Sequence, residues 1–218
     1  MFTELEREAL DPAPRSLALG QALPCHRTQN VAKTMATKPL RSAIYRDMFA
    51  LGTLAFIGIS LFMVHEFEEI IYVRPYIKWH REDEKFAAEM FIAGGDKNYP
   101  STESIALMIS EEFVLSVIIM LVGIAVGSIE IVLAPFIAFT LHLIPHALEA
   151  LRFPGWAPGS RTATLLFVPS AAIIITAIMT QPIQPLWLAV WTVVIGVLLL
   201  ANLRLMHMAA GGFAQKLR

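Results

Sequence analysis

The stretch TATLLFVPSAAIIITAIMTQPIQPLWLAVWTVVIGVLLLANL, residues 162–203, decides the fold. Its 42 residues contain no Asp, Glu, Lys or Arg. A soluble surface cannot be built from such a run, whereas two bilayer-spanning helices can, since each needs about 20 apolar residues. The turn QPIQP at 181–185 divides the stretch between them. The rest of the chain agrees. Of its 218 residues, 56% are hydrophobic and 16% charged, and the mean hydropathy is +0.60. Soluble domains usually carry about 45–50% apolar and about 25% charged residues. The composition therefore excludes soluble, disordered, collagenous and disulfide-rich classes.

Working outward, the apolar runs predict an all-α, polytopic membrane bundle of about five transmembrane helices. Their expected positions are 48–73, 102–126, 131–151, 162–180 and 186–203. Ser101 or Thr102 is placed to cap the second, and Gly127-Ser128 to turn the chain into the third. No repeat is visible. Residues 76–92 mix Lys78, Arg81, Glu82, Asp83, Glu84, Lys85 and Glu89 with Tyr76, Trp79, Phe86 and Phe91, which suggests a short interfacial helix ending at Gly94-Gly95. It reads either as a lid over a site or as a solvated connection. Residues 1–47 read as a polar, flexible tail outside a membrane domain at 48–208. This tail lacks the apolar core of a secretory signal. Cys25 is the only cysteine and cannot form an internal disulfide.

A net charge of −1 gives no footprint for nucleic acid. The expected partner is the lipid bilayer, with a lipid-like substrate. The expected location is an inner or cytoplasmic membrane. Arg74, Lys78, Arg81, Arg152, Arg161 and Arg204 flank one set of span ends, which makes that side the expected cytoplasmic one.

Because charge is scarce, ionisable groups inside spans carry the functional signal. In His65-Glu66-Phe67-Glu68-Glu69, residues His65, Glu68 and Glu69 share one helix face at i, i+3 and i+4. Glu66 points about 100° away from His65. In the third span His142, His146 and Glu149 share a face at i, i+4 and i+7, around a bend expected at Pro145. Glu111 and Glu112 lie in the second span. At 1.5 Å per residue all three groups fall in one layer, toward the same membrane face. Several carboxylates cannot stay ionised together in low dielectric, so they take up protons or share cations. Imidazole with carboxylate suits zinc, iron or manganese.

The expected metal ligands are His65, Glu68, Glu69, Glu111, His142, His146 and Glu149. Glu69 and Glu112 are the expected catalytic carboxylates, and the cofactor is a divalent metal, iron or zinc. The competing reading is a protonated polar network that only packs helices. Glu130 is expected as a solvated turn residue, and Arg74 and Arg152 as flank anchors. The fourth and fifth spans are expected as scaffold.

His65-Glu66-Phe67-Glu68-Glu69 resembles the signature of the HxxEE family of small integral membrane proteins. The stretch from His142 to Gly159, with His146, Glu149, Arg152 and Pro158-Gly159 followed by Thr162, is similar to that family's second block. The resemblance runs from about Met48 to Thr180. It implies His65, Glu68, Glu69 and His146 as core residues of an enzyme-like site, and supplies no substrate. Members often carry Asn where this chain has His142, which adds a ligand here. The functions expected are a metal-dependent hydrolase or an oxidase/hydroxylase. The alternatives are a cation or proton transporter using the same layer, or an intramembrane peptidase. For the last, Glu68-Glu69 or Glu111-Glu112 with His142 and His146 resembles the glutamate-dependent peptidases of prenylated proteins, although Arg74 stands too far from the Glu pair.

Overall fold

A computed structural model describes the backbone of residues 26–93 and 101–216, and the side chains of most residues from 47 to 93 and from 101 to 208. The described elements are α1 (His26–His80), a 3₁₀ turn (Glu84–Phe86), α2 (Met90–Ala93), α3 (Thr102–Val126), α4 (Ile129–Arg152), α5 (Ser160–Thr180) and α6 (Pro185–Lys216). There is no strand among the described residues. Five stretches are long and apolar enough to cross a membrane: Ala50–His80, Thr102–Val126, Ile129–Arg152, Ser160–Thr180 and Pro185–Met208. The molecule is thus a five-span helical bundle, the only architecture besides a closed barrel that satisfies every backbone polar group inside lipid.

The expected tail at 1–47 falls on residues outside the described set, or in the part of α1 whose side chains are not described. The Gly94-Gly95 stop also lies outside it. Tyr76–His80 prolong α1 and do not start a separate helix. That 31-residue span is about 46 Å long at 1.5 Å per residue. It exceeds the roughly 30 Å hydrocarbon layer, so its Tyr76–His80 end reaches the interface.

Turn chemistry fixes the connections. Ser101 caps α3 by accepting Ser104 N–H at 3.3 Å. Gly127, at φ +70°, ends α3, and Ser128 caps α4 by accepting Ile131 N–H at 3.4 Å. Glu130 is the partly exposed turn residue expected, and it also makes contacts. Its carboxylate accepts from Ser128 Oγ at 2.8 Å and from Gln184 N–H at 3.0 Å, tying the α3–α4 turn to the α5–α6 turn.

The hub is α4, half of whose apolar window is buried, against 6% for α6. Its Val132, Leu133, Phe136, Phe139 and Leu143 pack with Leu51 and Ala55 of α1, Met120 of α3 and Ala163 and Leu166 of α5. Small residues allow close approach, as is usual between membrane helices. A Cβ on Gly123 of α3 would stand 2.8 Å from Val132 Cγ2, and one on Gly58 of α1 3.1 Å from the Phe136 ring. On the outer faces Leu165, Val168, Met179, Leu186 and Leu200 are exposed, as lipid-facing side chains should be. A second apolar group, Val73, Ile77, Phe91, Ile105, Met108 and Ile109, joins α1, α2 and α3 above the main core.

Candidate metal centre

The two histidine helices meet where α1 crosses α4. Ring centroids lie 4.9 Å apart for His65–His146, 5.5 Å for His65–His142 and 4.6 Å for His142–His146. Glu69, one turn after His65, places Oε1 3.2 Å from His146 Nε2 and 3.6 Å from His65 Nε2. His146 Nε2 is also 3.1 Å from His142 Nε2. One donor atom from each of His65, Glu69, His142 and His146 thus falls within 4.8 Å of the others, and the group could hold a metal ion.

The outer nitrogens decide what the inner ones can do. Glu68 Oε2 accepts both Thr162 N–H, at 2.7 Å, and Thr162 Oγ1–H, at 2.6 Å. A threonine hydroxyl has one hydrogen. Whether that hydrogen goes to Glu68 or to the Gly159 carbonyl at 3.1 Å, Thr162 Oγ1 can only accept from His65 Nδ1, 2.9 Å away. His65 Nδ1 is therefore the protonated nitrogen, and Nε2 carries a lone pair. His146 Nδ1 faces the Pro158 carbonyl at 3.3 Å, which also only accepts, so His146 Nε2 carries a lone pair as well. Two imidazole lone pairs and a carboxylate oxygen now point at one another in a buried space. Neither His65 Nε2 nor Glu69 Oε1 has a hydrogen-bond partner among the described residues. His146 Nε2 shares a hydrogen bond with His142 Nε2, so the unmet acceptors are His65 Nε2 and Glu69 Oε1, and a cation beside them would satisfy both. A tetrahedral ion with ligands at about 2.0–2.2 Å has donor–donor edges of roughly 3.3–3.6 Å. Three of the six edges, at 3.1, 3.2 and 3.6 Å, lie near that range, and all six are within 4.8 Å.

Gly159 makes the crossing possible. It sits at φ +77°, just before α5, and a Cβ there would lie 2.8 Å from Glu69 Oε1, 2.8 Å from His146 Nδ1 and 2.9 Å from His65 Cε1. The start of α5 is thus the wall of the centre, and this corrects the expectation that the fourth span is scaffold.

The other expected residues lie elsewhere. Glu68 stands behind His65 as the acceptor for Thr162, outside the four-residue group. Glu111 and Glu112 accept from Asn202 Nδ2 of α6 at 2.5 and 2.7 Å, so they are held by the fifth span, which is not mere scaffold either. Glu149 pairs through Oε1 with Arg152 Nη1 at 3.6 Å, and its Oε2 has no hydrogen-bond partner among the described residues.

The centre opens on a cavity of about 770 Å³ between α1, α3, α4 and α6. Phe62, Met108, Phe136 and Leu199 supply apolar wall, and Glu66, Glu69, Glu112, His142 and His146 its polar side. Glu66, turned away from His65, is buried and lines this cavity, as does Glu112. Above it, Met90 and Phe91 also line the cavity, with the Phe91 ring 6.1 Å from that of His146. Glu89 holds this roof in place, accepting Phe91 N–H and Ile92 N–H through Oε2 at 3.0 Å each. Burial raises the Glu89 carboxyl to about 7; the N–H groups of Ile92 and Phe91 pull it down, and the nearby Glu149 pushes it up.

The sequence reading missed Thr162 as a bridge, Gly159 as a spacer, and Asn202, Glu66 and Glu89. A usable signal existed for Asn202, a lone amide in the apolar run of α6. There was none for Glu89, which looked like one more charge in a mixed segment.

The fold and the site define a five-span membrane protein with a buried to half-buried cluster of three histidines and a glutamate. Over residues 56–174, more than half its length, the chain matches the family described as "Protein of unknown function with HXXEE motif". It belongs to that family. No match was found among curated proteins or among solved structures.

Proposed function

We propose that this protein is a metal-dependent integral membrane enzyme acting on a lipid-like substrate. His65, Glu69, His142 and His146 hold a divalent ion, and the adjoining cavity receives the substrate's apolar part. The observation that carries the reading is the convergence of His65 Nε2 and Glu69 Oε1, both without a hydrogen-bond partner, with His142 and His146 at the wall of an apolar cavity. Three imidazoles and one carboxylate suit iron or zinc. Iron would supply oxygen chemistry such as hydroxylation, and zinc an activated water for hydrolysis. Glu112, held by Asn202 on the same cavity, is the proposed proton-transfer group. The Thr162–Glu68 pair orients His65, as partners behind metal-bound histidines commonly do.

The test is metal content of the purified protein beside a His65→Ala/His146→Ala variant. About one iron or zinc per chain is expected in the wild type and none in the variant. A metal-free wild type whose stability the double substitution leaves unchanged refutes the centre. Comparing lipid extracts from cells with and without the gene tests the reaction. Metal-dependent ion flux in liposomes, with no altered lipid, replaces the enzyme by a transporter.

A further inference from the structure

The cavity beside the histidine centre holds a carboxyl group that the centre does not use. Glu66 is 7% exposed and lines the cavity of about 770 Å³. No described residue donates a hydrogen bond to it. Buried polar groups are normally paired, and a buried carboxylate calls for a cation or for N–H and O–H donors. Glu66 has neither within the described protein, and the cavity is the route by which a partner reaches it. The rest of the wall says what that partner is. Glu69 and Glu112 are also on it, Glu112 giving its Oε2 to Asn202 Nδ2 at 2.7 Å. No Lys or Arg is among the lining residues. Phe62, Met108, Phe136 and Leu199 leave the remainder apolar. Such a wall opposes a phosphate or carboxylate head, because like charges brought together are costly. It suits a head that donates N–H groups and carries positive charge, since bonds of the N⁺–H···O⁻ type are roughly twice as strong as neutral ones.

We propose that the cavity takes a single-chain lipid whose head is a primary amine, seated on Glu66, in preference to one whose head is a phosphate or a carboxylate. This rests on the reading of the cavity as the substrate site, and names the substrate class. Glu66 and Glu69 stand at i and i+3 of α1, a spacing that puts side chains on one helix face with Cβ atoms about 5–6 Å apart. An amine on Glu66 therefore brings the head end of the lipid, and not the far end of its chain, beside the histidine centre. The apolar wall receives the chain.

The experiment compares hexadecylamine, hexadecanol, hexadecanoic acid and hexadecyl phosphate, which share a chain and differ in the head. Binding to the full-length detergent-purified protein is measured by native mass spectrometry, for wild type, chelator-treated wild type and Glu66→Gln. Wild type is expected to bind one hexadecylamine about tenfold or more tightly than each other probe. Glu66→Gln is expected to bring the amine down to the level of hexadecanol and leave hexadecanol unchanged. If Glu66→Gln does not fold, Glu66→Asp decides: it draws the carboxylate back by one methylene and is expected to weaken the amine severalfold. Equal binding of the amine and any other probe by wild type, or an amine preference untouched in the variant, overturns the proposal. The two readings fail separately. Hexadecanol bound without preference for the amine keeps the cavity as a lipid site and removes the amine. An amine preference that survives in a protein holding no metal keeps the amine and removes the metal. No probe bound by wild type overturns both the amine and the lipid site.

Discussion

Replacing Gly159 by alanine adds one methyl group and tests the centre directly. Two costs can be separated. The first is conformational: at φ +77° an L-residue pays about 1–2 kcal/mol in the left-handed region. The second is steric. The new Cβ would stand 2.8 Å from Glu69 Oε1 and His146 Nδ1 and 2.9 Å from His65 Cε1, whereas ordinary contact begins at 3.4 Å. Each neighbour must retreat by about 0.6 Å, while metal–ligand distances tolerate only about ±0.2 Å. Gly155 provides the control. It has φ +85° with nothing within 4 Å of its Cβ position, so Gly155→Ala carries the conformational cost alone. Both variants are purified in detergent, and iron and zinc affinities are measured by competition with a chelator, alongside thermal unfolding. Gly155→Ala is expected to lower stability by about 1 kcal/mol and leave metal affinity unchanged. Gly159→Ala is expected to lose on the order of 10–100-fold in affinity, the loss typical when groups supporting a ligand are disturbed. Equal metal affinity in the two variants would refute the reasoning, for then the atoms around Gly159 do not hold the ion.

Two further outcomes are expected. Thr162→Val removes the acceptor of His65 Nδ1 and one donor to Glu68, so metal affinity should fall roughly 10–100-fold, with Thr162→Ser restoring most of it; equal affinity in Val and wild type would dismiss the relay. Asn202→Leu strips Glu111 and Glu112 of their shared donor and should lower stability by about 1–3 kcal/mol in thermal unfolding, with metal content intact; loss of metal would place the Glu pair in the centre.

Much of the architecture was legible because lipid imposes a one-dimensional rule. A run without charge must span, and the run at 162–203 obeys it. Depth was legible too, since helix rise is constant and His65, Glu69, His142 and His146 meet at one level. What the count could not give was rotation. Depth brings Glu111 and Glu112 to the right layer, but α3 turns them toward Asn202. Helical spacing puts Glu149 on the face of His142 and His146, yet in the last turn of α4 its Oε1 pairs with Arg152. Thr162 and Gly159 escaped because their roles lie in a backbone turn and a crossing distance, which no periodicity encodes. The partner of Glu130 escaped for a similar reason: it is a backbone N–H 54 residues on.

The bonds of His65 and Glu68 to Thr162 cross 97 and 94 residues, and that of Asn202 to Glu111 crosses 91. During synthesis at about 5–20 residues per second, α1 therefore waits roughly 5–20 s in or near the membrane before the residue that orients its histidine is made. Until then His65 and Glu68 are polar groups without their final partners, in a helix already committed to lipid. The centre cannot be assembled in the order in which its pieces emerge. It must be completed late, when the turn at Gly159 closes behind it, so a chain halted before α5 would present the insertion and quality-control machinery with an exposed polar face on its first span.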